Sequence, residues 1–93
     1  MKAIIALFLL SAVEASARMP STLDLTCRQA ADLIRARGAV VMSTGPDTYD
    51  RFVGDGSFCE TSFRPIPAWA PTRDSQSCLI GYTCAPITDA GGG

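Results

Sequence analysis

Apolar positions are spread unevenly along the chain, and the densest block comes first. Ala3 to Val13 is an apolar run, interrupted only by Ser11, behind Met1-Lys2. It has no polar face, so it does not read as a core-facing amphipathic helix. It is also too short to span a bilayer, which takes about 20 apolar residues. Ala15-Ser16-Ala17 follows in the small-x-small form of a signal-peptidase site. The pattern therefore predicts a signal peptide over 1–17, cut after Ala17, with Arg18 as the new N-terminus.

The next periodic stretch is helical. Cys27, Ala30, Ala31 and Ile34 recur at helical spacing with Leu33 beside them, while Arg28, Asp32, Arg35 and Arg37 fall largely outside the stripe. Thr26-Cys27-Arg28-Gln29 has the form of a capping box, and Gly38 suits the left-handed position that ends a helix. A helix ending at Arg37 follows, starting at Cys27 or, if Thr22 caps it, near Leu23. The lead-in from Arg18 to Leu25 reads as extended, marked by Pro20 and Ser21.

Beyond Gly38 the period shortens. Ala39 to Thr44 is apolar and β-branched, as in a strand buried on both faces. Gly45-Pro46-Asp47 breaks it, and Tyr49 to Val53 alternates as a second strand. Gly54-Asp55-Gly56 is a hairpin signal that predicts a short third strand over Ser57 to Cys59. Between Arg64 and Pro71, three prolines forbid a central strand and favour an extended, partly polyproline-like connection carrying Trp69. Thr72-Arg73 is placed to pair with the last strand across Asp74 to Ser77. In that last strand, Cys78, Ile80, Tyr82 and Cys84 would share a face. The expected fold is α+β, one N-terminal helix packed on a small antiparallel sheet. It would form a single domain over 18–88, followed by a disordered Gly-rich tail over 89–93.

Composition changes meaning once the leader is set apart. The leader is apolar at 13 of its 17 positions, so the positive mean hydropathy of the whole chain belongs largely to it. The remainder, 18–93, holds seven Arg, eight acidic side chains, all four cysteines, and no His or Lys. A chain of this size supports one small domain and excludes a large enzyme.

Export gives the cysteines a chemistry. Cys27, Cys59, Cys78 and Cys84 would meet an oxidising compartment, where thiols persist as disulfides. Zinc and redox sites favour Cys-x-x-Cys spacing, which the chain lacks. If 78–84 is a strand, its ends lie roughly 20 Å apart at ~3.3 Å per residue, beyond the about 7 Å that a bridge allows between Cα atoms. That forbids Cys78–Cys84, and with full pairing Cys27–Cys59 also, leaving two connectivities open. If Gly81 turned the chain, the sequential pairing would return.

Catalysis lacks a base: without His or Lys, hydrolytic triads cannot be assembled from side chains. Asp47, Asp50, Asp55, Glu60 and Asp74 show no spacing that selects a glycosidase pair. Gly54-Asp55-Gly56-Ser57 offers calcium only one carboxylate. The slightly acidic balance and scattered arginines argue against nucleic acid. No cofactor or metal is expected, and no enzyme activity. The aromatic set stands out instead. Its simplest role is the core, but Trp69 with Tyr49 and Tyr82, flanked by Arg51 and Arg73, forms a candidate stacking surface for a sugar or peptide.

Several segments together resemble a family of small exported four-cysteine proteins of Gram-negative bacteria. They are Cys27-x-x-Ala30, Gly38-Ala39-Val40-Val41, Thr44-Gly45, Tyr49-Asp50-Arg51-Phe52-Val53, Pro67-Ala68-Trp69-Ala70-Pro71-Thr72, Asp74 and Cys78-x-x-Gly81-Tyr82-x-Cys84. The resemblance covers almost all of the mature chain and implies a periplasmic or secreted location without assigning catalytic residues. The functional expectation is a non-enzymatic envelope protein that binds an envelope component or a partner protein, with no membrane span in the mature chain. The alternative is a secreted inhibitor or effector that offers its Pro65–Pro71 loop to another protein.

Overall fold

The computed structural model of the chain describes residues 19–87. The signal peptide expected over 1–17, its cut after Ala17, the new terminus at Arg18 and the tail over 89–93 lie outside the described residues. The rest is one helix, α1 (Cys27–Arg37), packed on a four-stranded antiparallel sheet and braced by two disulfides. The strands are β1 (Ala39–Ser43), β2 (Tyr49–Val53), β3 (Phe63–Thr72) and β4 (Ser75–Pro86), in spatial order β1-β2-β4-β3.

α1 starts and stops where its end residues require. Thr26 Oγ1 accepts from the Gln29 N–H at 3.1 Å and Gln29 Oε1 accepts from the Thr26 N–H at 2.9 Å, a complete capping box. Gly38 ends the helix at φ +83°, its N–H bonded to Ile34 O. The Phe58 ring lies against Gly38 where a Cβ would project, so two constraints select glycine there. The lead-in is less extended than expected. Ser21 accepts from the Leu23 N–H and winds Thr22–Asp24 into a 3-10 turn. Pro20 O also accepts from the Ser43 N–H, so this segment lies against the end of β1.

The core lies between α1 and one face of the sheet. Ala30 and Ile34 meet Val40 and Met42 of β1, Phe52 of β2, Ala68 and Ala70 of β3, and Cys78 and Ile80 of β4. Burying a side chain such as Ile34 contributes roughly 1.5–3 kcal/mol. β1 was expected to be buried on both faces; instead Val40 and Met42 are buried while Val41 is exposed. β1 is an edge strand with α1 on one side only, and β-branching alone does not reveal how many layers cover a strand.

Two further expectations are corrected by local hydrogen bonds. Ser57 to Cys59 is not a strand: Asp55 Oδ1 accepts from both the N–H and Oγ of Ser57 and winds Gly56–Phe58 into a 3-10 turn. Such a side-chain bond competes directly with strand pairing. The Pro-rich segment is also not a loop. Its prolines exclude a central position, as expected, but the segment is the edge strand β3, paired with β4 from Phe63 to Thr72. Pro65, Pro67 and Pro71 share one parity, so their nitrogens can turn away from β4, where no donor is needed. The β3–β4 connection is accordingly only Arg73-Asp74, and Ser75 to Ser77 belong to β4.

β4 is a strand through its cysteines, as the alternation suggested, but its faces change partway. Ala68 pairs with Gly81 and Trp69 with Leu79, leaving Ile80 as an extra residue on β4. This bulge puts Ile80 and Gly81 both toward α1 and turns Tyr82 and Cys84 to the opposite face. Tyr82 and Cys84 therefore do not share a face with Cys78 and Ile80. The two bridges leave opposite sides of one strand. Cys78 joins Cys27 of α1, and Cys84 joins Cys59 in the 54–62 loop, with Cα separations of 5.7 and 5.6 Å.

The Arg73-Asp74 turn is fastened to the start of α1. Asp74 Oδ1 accepts from the Cys27 N–H at 2.8 Å and from Thr72 Oγ1 at 3.0 Å. The Arg73 N–H donates to Leu25 O and its Nη1 to Asp24 O. These bonds to Cys27 and Thr72, aided by nearby Arg73, hold the Asp74 carboxyl below the usual carboxylate range despite an opposing desolvation effect.

A depressed folded-state value means that Asp74 contributes stability above the unfolded carboxylate value, about 3.9, and loses it as pH falls through the folded one. Asp74→Ala should lower the melting temperature by several degrees at pH 7, and the gap to the wild type should narrow below about pH 4. A pH-independent gap in thermal scans would contradict this. Gly81→Ala should destabilise by about 1–3 kcal/mol in urea unfolding, the cost of overpacking. Its Cβ would stand 2.9 Å from Val53 O and 3.1 Å from Ile34 Cγ2. The bridges close spans of 51 and 25 residues. Replacing each pair by Ala should cost about 4 and about 3.5 kcal/mol in the chain-entropy model, and denaturant midpoints of the two variants check the order.

Candidate functional site

The strand register sorts the candidate residues, because directly opposed residues share a face and the face alternates along each strand. Val53 opposes Tyr82, Pro67 opposes Tyr82, and Trp69 opposes Leu79. Tyr82, Pro67, Trp69 and Leu79 thus lie together on the face turned away from α1. Tyr49 and Arg51 of β2 have the parity of Val53 and belong to the same face.

They are not equally placed on it. Trp69 is 61% exposed, with Leu79 (44%) directly across from it and Tyr82 (36%) on the far side of Pro67. Pro-stiffened β3 fixes the Trp69 backbone, so the indole is presented from a rigid strand rather than a loop. Tyr49 is more exposed still, at 69%, but stands at the other end of β2 opposite Ser43. Four residues at about 3.3 Å each put it some 13 Å along the strand from the Val53–Tyr82 pair. Tyr49 therefore does not join Trp69 and Tyr82 in one patch.

The two arginines are occupied with holding the chain. Arg51 Nη2 donates a long bond, 3.5 Å, to Phe58 O in the 54–62 loop. That loop crosses part of the face: Cys59 is bridged to Cys84, and Gly56 lies so close to Pro65 that a Cβ there would be 3.1 Å from its ring. A shallow depression bounded by Arg51, Glu60, Phe63 and Cys84 remains beside it. Arg73 is not on this face, since it sits in the β3–β4 turn and reaches Asp24 O. What stays uncovered is a small aromatic and apolar patch of Trp69, Tyr82, Leu79 and Pro67.

Leu79 and Pro67 were not singled out from the sequence. Their signal was parity: Leu79 alternates with the core-facing Cys78 and Ile80, and Pro67 with Ala68. Reading them needed the strand assignment of 63–72 and the bulge at Ile80, neither of which a period-2 pattern supplies. The patch carries no ionisable group besides the Tyr82 phenol. The carboxyls that are shifted, Asp55 and Asp74, are both lowered by hydrogen-bond donors, Ser57 for Asp55 and Cys27 with Thr72 for Asp74. Their bonds organise backbone, and the arrangement as a whole is suited to stacking and apolar contact rather than proton transfer.

Comparison with protein-family models, curated proteins and solved structures finds no match to this chain.

Proposed function

We propose that this chain is an exported, non-enzymatic binding protein of the bacterial envelope, which holds an envelope component or a partner protein against Trp69 and Tyr82. The observation that carries the reading is the open Trp69–Leu79–Tyr82 patch on a rigid sheet. A 61% exposed tryptophan has no role in the core of so small a domain. An indole held on a strand offers a large stacking area with little ordering cost on binding. Export is supported by the apolar leader with its Ala15-Ser16-Ala17 site and by two disulfides that tie the described fold together. Among the described residues no helix is long and apolar enough to cross a membrane. The resemblance to small exported four-cysteine proteins supports the same location.

Trp69 is the chain's single tryptophan, so its fluorescence reports directly on the patch. Acrylamide should quench it strongly in the free protein, and added envelope extract should protect it. Trp69→Ala should leave the melting temperature nearly unchanged while retention of the co-purifying envelope component falls at least tenfold. Equal retention by the two proteins would remove Trp69 as the anchor.

A further inference from the structure

The sheet has a gap in its interior. β2 and β4 meet in register at a single pair, Val53–Tyr82, and the chain leaves β2 at Gly54. β4 continues from Tyr82 back to Ser75, and over 75–81 no described strand pairs with it on that side. No other backbone bond to described residues covers the stretch either. The Ser77 N–H donates to the Ser75 hydroxyl at 3.2 Å, at a second register shift of the β3–β4 ladder between the Ala70–Cys78 and Thr72–Ser75 pairs. A cleft runs along this edge, lined on one side by Ala31 and Arg35 of α1 and on the other by the unbroken run 79–82.

The two free edges of the β3–β4 hairpin are treated differently. The outer edge carries Pro65, Pro67 and Pro71, which leave few donors for another strand to pair with. The inner edge, Gln76 to Gly81, has no proline and no charged residue. Edges that must not pair are commonly blunted by proline or charge, and this one carries neither, its irregularity being confined to the register shifts at Ile80 and at Gln76–Ser77.

We propose that β4 residues 76–81 accept an extended peptide segment of a partner protein, added as a strand in line with β2 and bearing acidic side chains toward α1. The edge itself selects the occupant, since a row of alternating N–H and C=O groups is matched by another extended backbone. The charge of the wall selects its side chains. Arg35 lines the cleft beside Ala31, Arg28 stands two helical turns before it, and Asp32 engages one amino group of Arg35. A second copy of this chain paired edge to edge would set these arginines against their own counterparts. This site shares Leu79 and Tyr82 with the Trp69 surface but uses the backbone of β4 rather than the indole, so loss of Trp69 leaves its edge intact.

The test uses the oxidised protein and a ten-residue peptide alternating valine and glutamate, with a valine–lysine peptide as control. Amide shifts and hydrogen exchange are read by NMR. The valine–glutamate peptide should shift and protect amides of residues 76–81 and Gly54, with the lysine peptide at least tenfold weaker. Ser77→Pro removes one N–H from the 76–81 stretch and should weaken binding at least tenfold. Arg35→Glu should abolish the preference for glutamate over lysine while the wild-type melting profile is retained. Absence of binding at millimolar peptide, shifts confined to Trp69 and Tyr82, or protection of 76–81 through self-association without peptide would each overturn the proposal. Binding untouched by Ser77→Pro would do so as well.

Discussion

The junction between the Arg73-Asp74 turn and the start of α1 is the contact on which the architecture depends. A helix begins with N–H groups that its own backbone cannot satisfy. Here Thr26 meets one of them, and another, at Cys27, is met by Asp74, 47 residues beyond that cysteine. The same residue, Cys27, is bridged to Cys78, and the nearby Leu25 O receives the Arg73 N–H. A capping requirement that most helices meet locally is met by the far end of a hairpin. Helix position and hairpin position are consequently one variable, which fixes how Ile34 lies over β4 and how Gly81 must be shaped.

That coupling explains why the sheet can afford to be irregular. The two hairpins share only the Val53–Tyr82 pair, so ladder bonds alone would hold them together weakly. α1 spans the join, with its first residue bridged to Cys78 and Ile34 one turn from its end against Gly81. The bulge at Ile80 then has two effects at once. It supplies two successive core-facing positions under the helix, and it releases Tyr82 and Cys84 to the other face. The open patch beside Trp69 and the second disulfide both follow from one inserted residue.

Much of this was legible in the sequence, and most of the exceptions share a cause. The helix's end at Arg37, one of its two expected starts, the first two strands and the exclusion of Cys78–Cys84 came from local chemistry: a capping box, a glycine stop and strand length. What escaped were mostly features decided by a partner far along the chain. Three prolines read as a connection because their permitted place, the outer rim of a sheet, requires knowing that β4 lies beside them. Ser57 to Cys59 read as a returning strand because the Asp55 side chain's claim on Ser57 is a competing local bond of similar size. The candidate patch was half visible: Trp69 and Tyr82 share a face, whereas Arg73 and Arg51 turned out to hold backbone, a role that charge alone does not reveal.

The disulfides interlace rather than nest, since Cys59 lies inside the span from Cys27 to Cys78 and Cys84 lies beyond it. Every peptide bond between residues 27 and 84 is therefore enclosed by at least one bridge. A protease that cuts the backbone once anywhere in that interval leaves a single covalently joined molecule, with the cut ends still held beside each other. For a domain exposed to degradative enzymes, a nick becomes a local wound from which the two pieces cannot drift apart.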